Sequence, residues 1–149
     1  KQRNFSEDRL NQSRETLERL ERIFIYVDHH YQEAISLNEV ANYMGFSPYY
    51  FTKLFKKNTG MTFIAFLNEY RLNKAKWILI NEDLPMSAVA EAAGFGSVKT
   101  FHHFFKEATG ISPLKYHKTI FGNNTARLQE ESPSSALYDR DIKTGISGG

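Results

Sequence analysis

Apolar side chains recur at helical spacing through most of this sequence. Leu37, Val40, Ala41 and Met44 stand at i, i+3, i+4 and i+7, the spacing that gathers side chains on one face of an α-helix. Gly45 ends that helix, because glycine accepts the left-handed conformation that closes a last turn. Ser47-Pro48 opens the next, with serine as N-cap and proline at the first helical position. Phe51, Leu54 and Phe55 form its inner side, with Asn58 as a polar member, and Gly60 stops it. The pattern predicts helix, short turn, helix.

The pattern then returns. Leu37 to Phe46 matches Met86 to Phe95 at an offset of 49, with Val-Ala and Gly-Phe in both. Phe51-x-x-x-Phe55-Lys56-x-x-Thr59-Gly60 matches Phe101-x-x-x-Phe105-Lys106-x-x-Thr109-Gly110 at an offset of 50. In the second copy Val89, Ala90 and Ala93 face inward, Gly94 breaks the helix, and Gly96-Ser97 leads into another. Its inner face is Phe101, Phe104, Phe105 and Ala108, and Gly110 stops it. Two copies are too few for a solenoid. They describe a duplicated supersecondary unit.

A longer helix is predicted between the copies, over residues 62–80, with Ala65, Phe66, Leu72, Ala75, Ile78 and Leu79 as its stripe. At 1.5 Å per residue it spans about 28 Å. Trp77 on this helix is expected in the core or half-buried. A loop follows at Asn81 to Pro85, and a short last helix runs from Pro113 to Ile120. Upstream, Leu10, Ser13, Leu17, Leu20, Phe24, Val27 and Tyr31 step by three and four in alternation, a heptad seam with one polar position. The second half of that segment is expected to pack on the first copy. The first half, Leu10 to Leu20, is open to a second reading, as part of a signalling or dimerising helix from an upstream domain. The expected fold is all-α, about seven helices in two helix-turn-helix subdomains joined by a long linking helix. Its expected domain is 19–120, with the first unit at 37–60 and the second at 86–110. Residues 1–18 are expected as a linker or upstream helix extension, and 121–149, rich in Gly, Ser and Asn, as a tail.

Composition narrows the chemistry. Cysteine is absent, which removes disulfides, thiolate metal sites and cysteine nucleophiles, and fits a reducing, cytoplasmic setting. No apolar run approaches the roughly 18 residues of a membrane span. The chain starts without methionine, as a piece of a longer protein would. Its net charge of +2 is unevenly placed. Residues 37–120 hold ten Lys/Arg against six Asp/Glu, while the flanks at 1–36 and 121–149 are each −1. An anionic partner is expected at the middle.

The inner faces define the outer ones by subtraction. A helix-turn-helix sets its second helix in the major groove of duplex DNA. In the first copy the outer residues are Tyr49, Thr52, Lys53 and Lys56; in the second they are Val98 or Lys99, His102, His103 and Lys106. Lysine donates to guanine O6 and N7, threonine and histidine bond either way, and tyrosine and valine meet a thymine methyl. Ser47, Lys56, Lys57 and Lys106 suit phosphates, which hold position while base contacts specify. Two such units set about 34 Å apart match one turn of duplex.

Gly94-Phe95-x5-Phe101-x3-Phe105-Lys106-x3-Gly110-x2-Pro113 closely resembles the signature of the AraC/XylS family of bacterial transcription regulators. So do Phe46-Ser47-Pro48-x2-Phe51-x3-Phe55-Lys56-Lys57-x-Thr59-Gly60 and Arg71-Leu72-x2-Ala75. The resemblance covers about Leu20 to Lys118. It implies a seven-helix domain that binds two adjacent major-groove segments and activates or represses promoters, usually under a separate sensor domain. RNA polymerase is a further partner it implies. Base-reading positions then fall on Tyr49, Thr52 and Lys53, and on Val98, Lys99, His102 and His103. Three departures stand out: His103 and His117 where the family often has arginine, and Phe63 where the second copy has Pro113. They imply a weaker grip by the second unit.

Other chemistry finds little support. His29-His30 and His102-His103 are adjacent pairs, pointing about 100° apart on a helix, whereas metal pairs on one face use i, i+4 spacing. Ser97, His102 and Asp83 lack a nucleophile elbow, and no glycine-rich phosphate loop is present. No metal, cofactor or enzymatic activity is expected. Two alternatives to a sequence-specific regulator remain: the DNA-targeting module of an enzyme such as a recombinase or repair protein, and a helical protein-interaction module.

Overall fold

The computed structural model describes residues 5–122. Among them are seven α-helices and no strand: α1 (Phe5–His30), α2 (Leu37–Met44), α3 (Pro48–Thr59), α4 (Phe63–Asn81), α5 (Met86–Ala92), α6 (Val98–Thr109) and α7 (Pro113–Phe121). The all-α class is as expected. Of the segment expected as a tail, Phe121 closes α7, and residues 123–149 lie outside the described residues.

Local chemistry sets most helix ends. Ser36 and Glu39 form a capping box at α2: the Ser36 hydroxyl accepts from the Glu39 amide and the Glu39 carboxylate from the Ser36 amide, satisfying two donors the first turn leaves over. Ser47, Thr62, Ser97 and Ser112 each accept from the amide three residues on, at 3.1 Å, at the starts of α3, α4, α6 and α7. A repeated device closes α3 and α6. Thr59 Oγ1 donates to the Phe55 carbonyl, and Thr109 Oγ1 to that of Phe105, each at 2.8 Å. The next residue, Gly60 or Gly110, takes a φ of 81° or 87°, which only glycine adopts cheaply.

The helices sort into two compact units. Unit one holds α1, α2, α3 and the start of α4 up to Phe66; unit two holds Gln32–Ala34, α4 from Leu67, α5, α6 and α7. In unit one, Leu20, Ile23, Val27, Val40, Ala41, Met44, Phe51, Leu54, Phe55 and Phe63 are buried. Phe55 is the hub: its ring lies 5.4–6.4 Å from those of Phe24, Phe51, Phe63 and Phe66. Each aromatic pair adds about 0.5–1.5 kcal/mol beyond area burial. The heptad seam divides. Leu20 and Val27 are buried and Phe24 touches Phe55, whereas Leu10 and Leu17 are exposed.

Unit two buries Leu72, Ala75, Ile78, Leu79, Met86, Val89, Ala90, Ala93, Phe95, Phe101 and Phe105 in one cluster. Tyr116 sets its ring edge-on to Phe105 at 5.2 Å, as Phe66 does to Phe55 at 5.4 Å. The duplication therefore extends past the recognised motif. Unit two also holds a buried polar tie. His117 Nδ1 lies 3.0 Å from the Leu79 carbonyl and Nε2 lies 3.0 Å from Asp83 Oδ1. It pins α7 to the end of α4 and the loop beyond. Gln32 Nε2 donates to the Ala92 carbonyl at 2.8 Å, and Arg71 Nη2 to that of Glu33 at 2.7 Å. Burial holds the Arg71 guanidinium below its ordinary pKa.

Three expectations about burial need correction. Trp77 is 60% exposed rather than core or half-buried. The buried stripe of α4 in unit two is Leu72, Ala75, Ile78 and Leu79, and Trp77, two positions before Leu79, points about 200° away from it. Ala65 is exposed as well, since the stripe near it is carried by Phe63 and Phe66. Asn58 and Ala108, at equivalent positions of the two copies, are also exposed. The inner faces of α3 and α6 stop one turn short of their ends.

Candidate nucleic-acid interface

On α3 the outer positions are open. Tyr49 is 73% exposed, and Thr52, Lys53, Lys56 and Lys57 are exposed. They share the helix with no acidic side chain. The Lys53 ammonium lies 5.3 Å from the centre of the Tyr49 ring, a cation–π contact of about 0.5–1 kcal/mol at an exposed site. It holds two long side chains side by side at the start of the helix. Ser47 is already engaged as the N-cap. Lys56 and Lys57 lie in the last turn, where the helix dipole favours cations.

On α6 the predicted set divides. Lys99 and His103 are exposed, while Val98 and Lys106 are half-buried. Val98 packs against the core cluster of unit two. The imidazole of His103 lies 3.6 Å from the Glu107 carboxylate. His102 is the correction. It is 5% exposed and belongs with Phe101 and Phe105 to the buried side of α6. Consecutive helical residues sit 100° apart, so His102 flanks the buried stripe, and unit two wraps one column further round α6 than the pattern implied. Its counterpart Thr52 on α3 is exposed.

Two residues absent from the sequence-derived set meet here, Tyr50 on α3 and Arg19 on α1. Arg19 of α1 reaches Tyr50, its Nη1 donating to the phenolic oxygen at 3.4 Å. Tyr50 is 41% exposed and sets its ring edge-on to Phe46 at 4.8 Å. The 31-residue separation explains why no local pattern points to the pair. Among the described residues, no group of three or more His, Cys, Asp or Glu side chains is arranged to hold a metal ion, and no helix is long and apolar enough to cross a membrane.

A family model described as a helix-turn-helix domain matches residues 40–119. The chain belongs to the AraC-type helix-turn-helix family. The regulatory protein PocR of Salmonella typhimurium is 33% identical to this AraC-type chain over 99 residues, covering 66% of it and 33% of PocR. The C-terminal domain of AraT, a response regulator from Geobacillus stearothermophilus, superposes with a TM-score of 0.65 at 31% identity, covering 68% of this chain and 84% of that one. The DNA-binding domain of AdpA, a global transcriptional factor solved with a target DNA, has a TM-score of 0.67 at 23% identity, covering 71% and 96%; that likeness concerns the fold. The AraC-type chain thus spans about a third of the length of PocR.

Proposed function

We propose that this chain is the DNA-binding domain of a transcription regulator that reads two adjacent major-groove segments of double-stranded DNA, α3 in one and α6 in the other. One observation carries the reading. The two copies keep the same inner rings, serine N-caps and Thr-Gly ends while their outer faces differ, and the outer face of α3 is exposed, basic and free of acid. Repeated packing with divergent surfaces is what two readers of different base sets require. The DNA complex of the AdpA domain supports it.

In this reading Tyr49, Thr52 and Lys53 face base edges on α3, and Val98, Lys99 and His103 do so on α6. Ser47, Lys56, Lys57 and Lys106 face phosphates. His102 supports α6 from within. The domain works by binding, without turning over a substrate, in the cytoplasm of a bacterium. An upstream sensor domain or a dimer partner engages the exposed first half of α1, where Leu10 and Leu17 are each 64% exposed, and RNA polymerase is the downstream partner. Selection of bound sequences from a random duplex library tests this. Two short enriched blocks, one per recognition helix, are expected; retention of no sequence over another would overturn it.

A further inference from the structure

We propose that Arg19 and Tyr50 form a phosphodiester clamp, through which α1 grips the DNA strand bordering α3 from outside the helix-turn-helix. This rests on α3 being a recognition helix. The Arg19 guanidinium carries five N–H donors in a planar fork. One meets the Tyr50 oxygen at 3.4 Å, and another lies 4.0 Å from the Glu15 carboxylate. The Tyr50 oxygen accepts from Arg19 and keeps its own proton to donate. Phe46 holds the Tyr50 ring edge-on at 4.8 Å, so the position of the hydroxyl is fixed by packing. The two side chains therefore converge on one place with hydrogen-bond donors, one of them cationic, which is the chemistry of a phosphate oxygen pair.

The direction of α3 extends the clamp into a track. Tyr50 and Lys57 stand at i and i+7, two turns apart on one side of the helix, and both are exposed. Arg19 continues that line of donors beyond the N-terminal turn. Among the described residues Glu15 is the acid in contact with Arg19, and both side chains are open to solvent, at 38% for Arg19 and 66% for Glu15. An exposed ion pair at that separation contributes little, so a phosphate displaces the carboxylate. Arginine suits the task better than lysine, because its fork engages two phosphate oxygens at once.

The test is the salt dependence of binding by the full chain to a short random-sequence DNA duplex. Neutralising one phosphate fewer lowers the slope of log K against log salt by about 0.9. Arg19→Gln is expected to lower it by that amount, so that raising salt fourfold costs about 3.5 times less affinity than in the parent. Arg19→Lys should keep the slope and bind a few-fold more weakly. Tyr50→Phe should keep the slope and bind every sequence a few-fold more weakly. Arg14→Gln removes an equal charge from α1 at an exposed position five residues away and should leave the slope unchanged. The two conserving variants, Arg19→Lys and Tyr50→Phe, hold the α1–α3 packing, so a fold defect in Arg19→Gln does not decide the result. A parental slope in Arg19→Gln, or an equal drop in Arg14→Gln, overturns the clamp. A parent chain that binds no duplex overturns the recognition-helix reading first, and the clamp with it.

Discussion

Units one and two solve the same packing problem with the same residues and then diverge wherever packing is silent. At an offset of 50, Phe51 and Phe55 answer to Phe101 and Phe105, Ser47 to Ser97, and Thr59-Gly60 to Thr109-Gly110, with the same caps in place. On the outer side the pairs are Tyr49 and Lys99, Lys53 and His103, Lys57 and Glu107, while exposed Thr52 answers to buried His102. Lys53 to His103 and Lys57 to Glu107 each remove a formal positive charge from unit two and Glu107 adds a negative one, whereas Tyr49 to Lys99 adds a positive one. Inner faces are dictated by the need to fill a helix-helix interface without voids. The outer faces carry no such constraint and record what each unit touches.

The largest expected effects break the shared frame. Phe55→Ala and Phe105→Ala should each cost about 3–5 kcal/mol, read by urea unfolding. Phe55 has four ring partners in unit one, whereas Phe105 has Phe101 and Tyr116. The cost should therefore be greater for Phe55→Ala. Equal or reversed costs would mean that the two cores are not ranked by their aromatic contacts.

His117→Ala follows, at about 1–3 kcal/mol, the cost of leaving a buried hydrogen-bonding group without its partner. It would leave the Leu79 carbonyl without its ring donor and Asp83 without its partner, both in unit two. Hydrogen exchange should report opening of α7 with α6, with α2 and α3 unaffected. An unchanged exchange pattern in α7 would show that the tie does not hold that helix.

What the sequence made legible, and what it hid, divides along the same line. Helix starts and stops follow from Ser, Pro and Gly within a few residues of each end, so Ser47, Ser97, Gly60 and Gly110 are readable one by one. The phenylalanine faces follow from a period of 3.6. Local rules do not say how far a neighbour wraps around a helix. Spacing alone therefore turns His102 outward although it is buried, and Trp77 inward although it is exposed. Nor do local rules carry pairings across long separations, such as His117 with Asp83 or Arg19 with Tyr50. Each of those depends on where a second helix passes.

Between the outer faces, Lys53→Ala sharpens the contrast. On the proposed reading it should cost about 1–3 kcal/mol on the best duplex and relax preference at one or two base pairs, and it removes the cation held against Tyr49. His103→Ala, at the matching position of α6, should cost less, since His103 already has the Glu107 carboxylate near it. Competition binding against single-base variants of a selected site decides the order. A larger cost for His103→Ala would put unit two in charge of specificity.

The smallest effect concerns the one exchange that reverses charge. Lys57 and Glu107 occupy the same place near the end of their helices. A phosphate there is attracted in unit one and repelled in unit two. Glu107→Lys gives unit two the cation of unit one. The exposed His103–Glu107 pair contributes at most about 0.5 kcal/mol on a helix, and a lysine in the last turn gains from the helix dipole, so folding stability should barely change. DNA affinity should rise evenly across sequences, and the salt slope should steepen by about 1 as one more phosphate is neutralised. Lys57→Ala should lower the slope by the same amount from the other side. Salt titrations of the parent and both variants on one random-sequence duplex settle it. If Glu107→Lys left the slope at the parental value while Lys57→Ala lowered it, the end of α6 would lie away from the phosphates. The two units would then share a frame without sharing a way of docking.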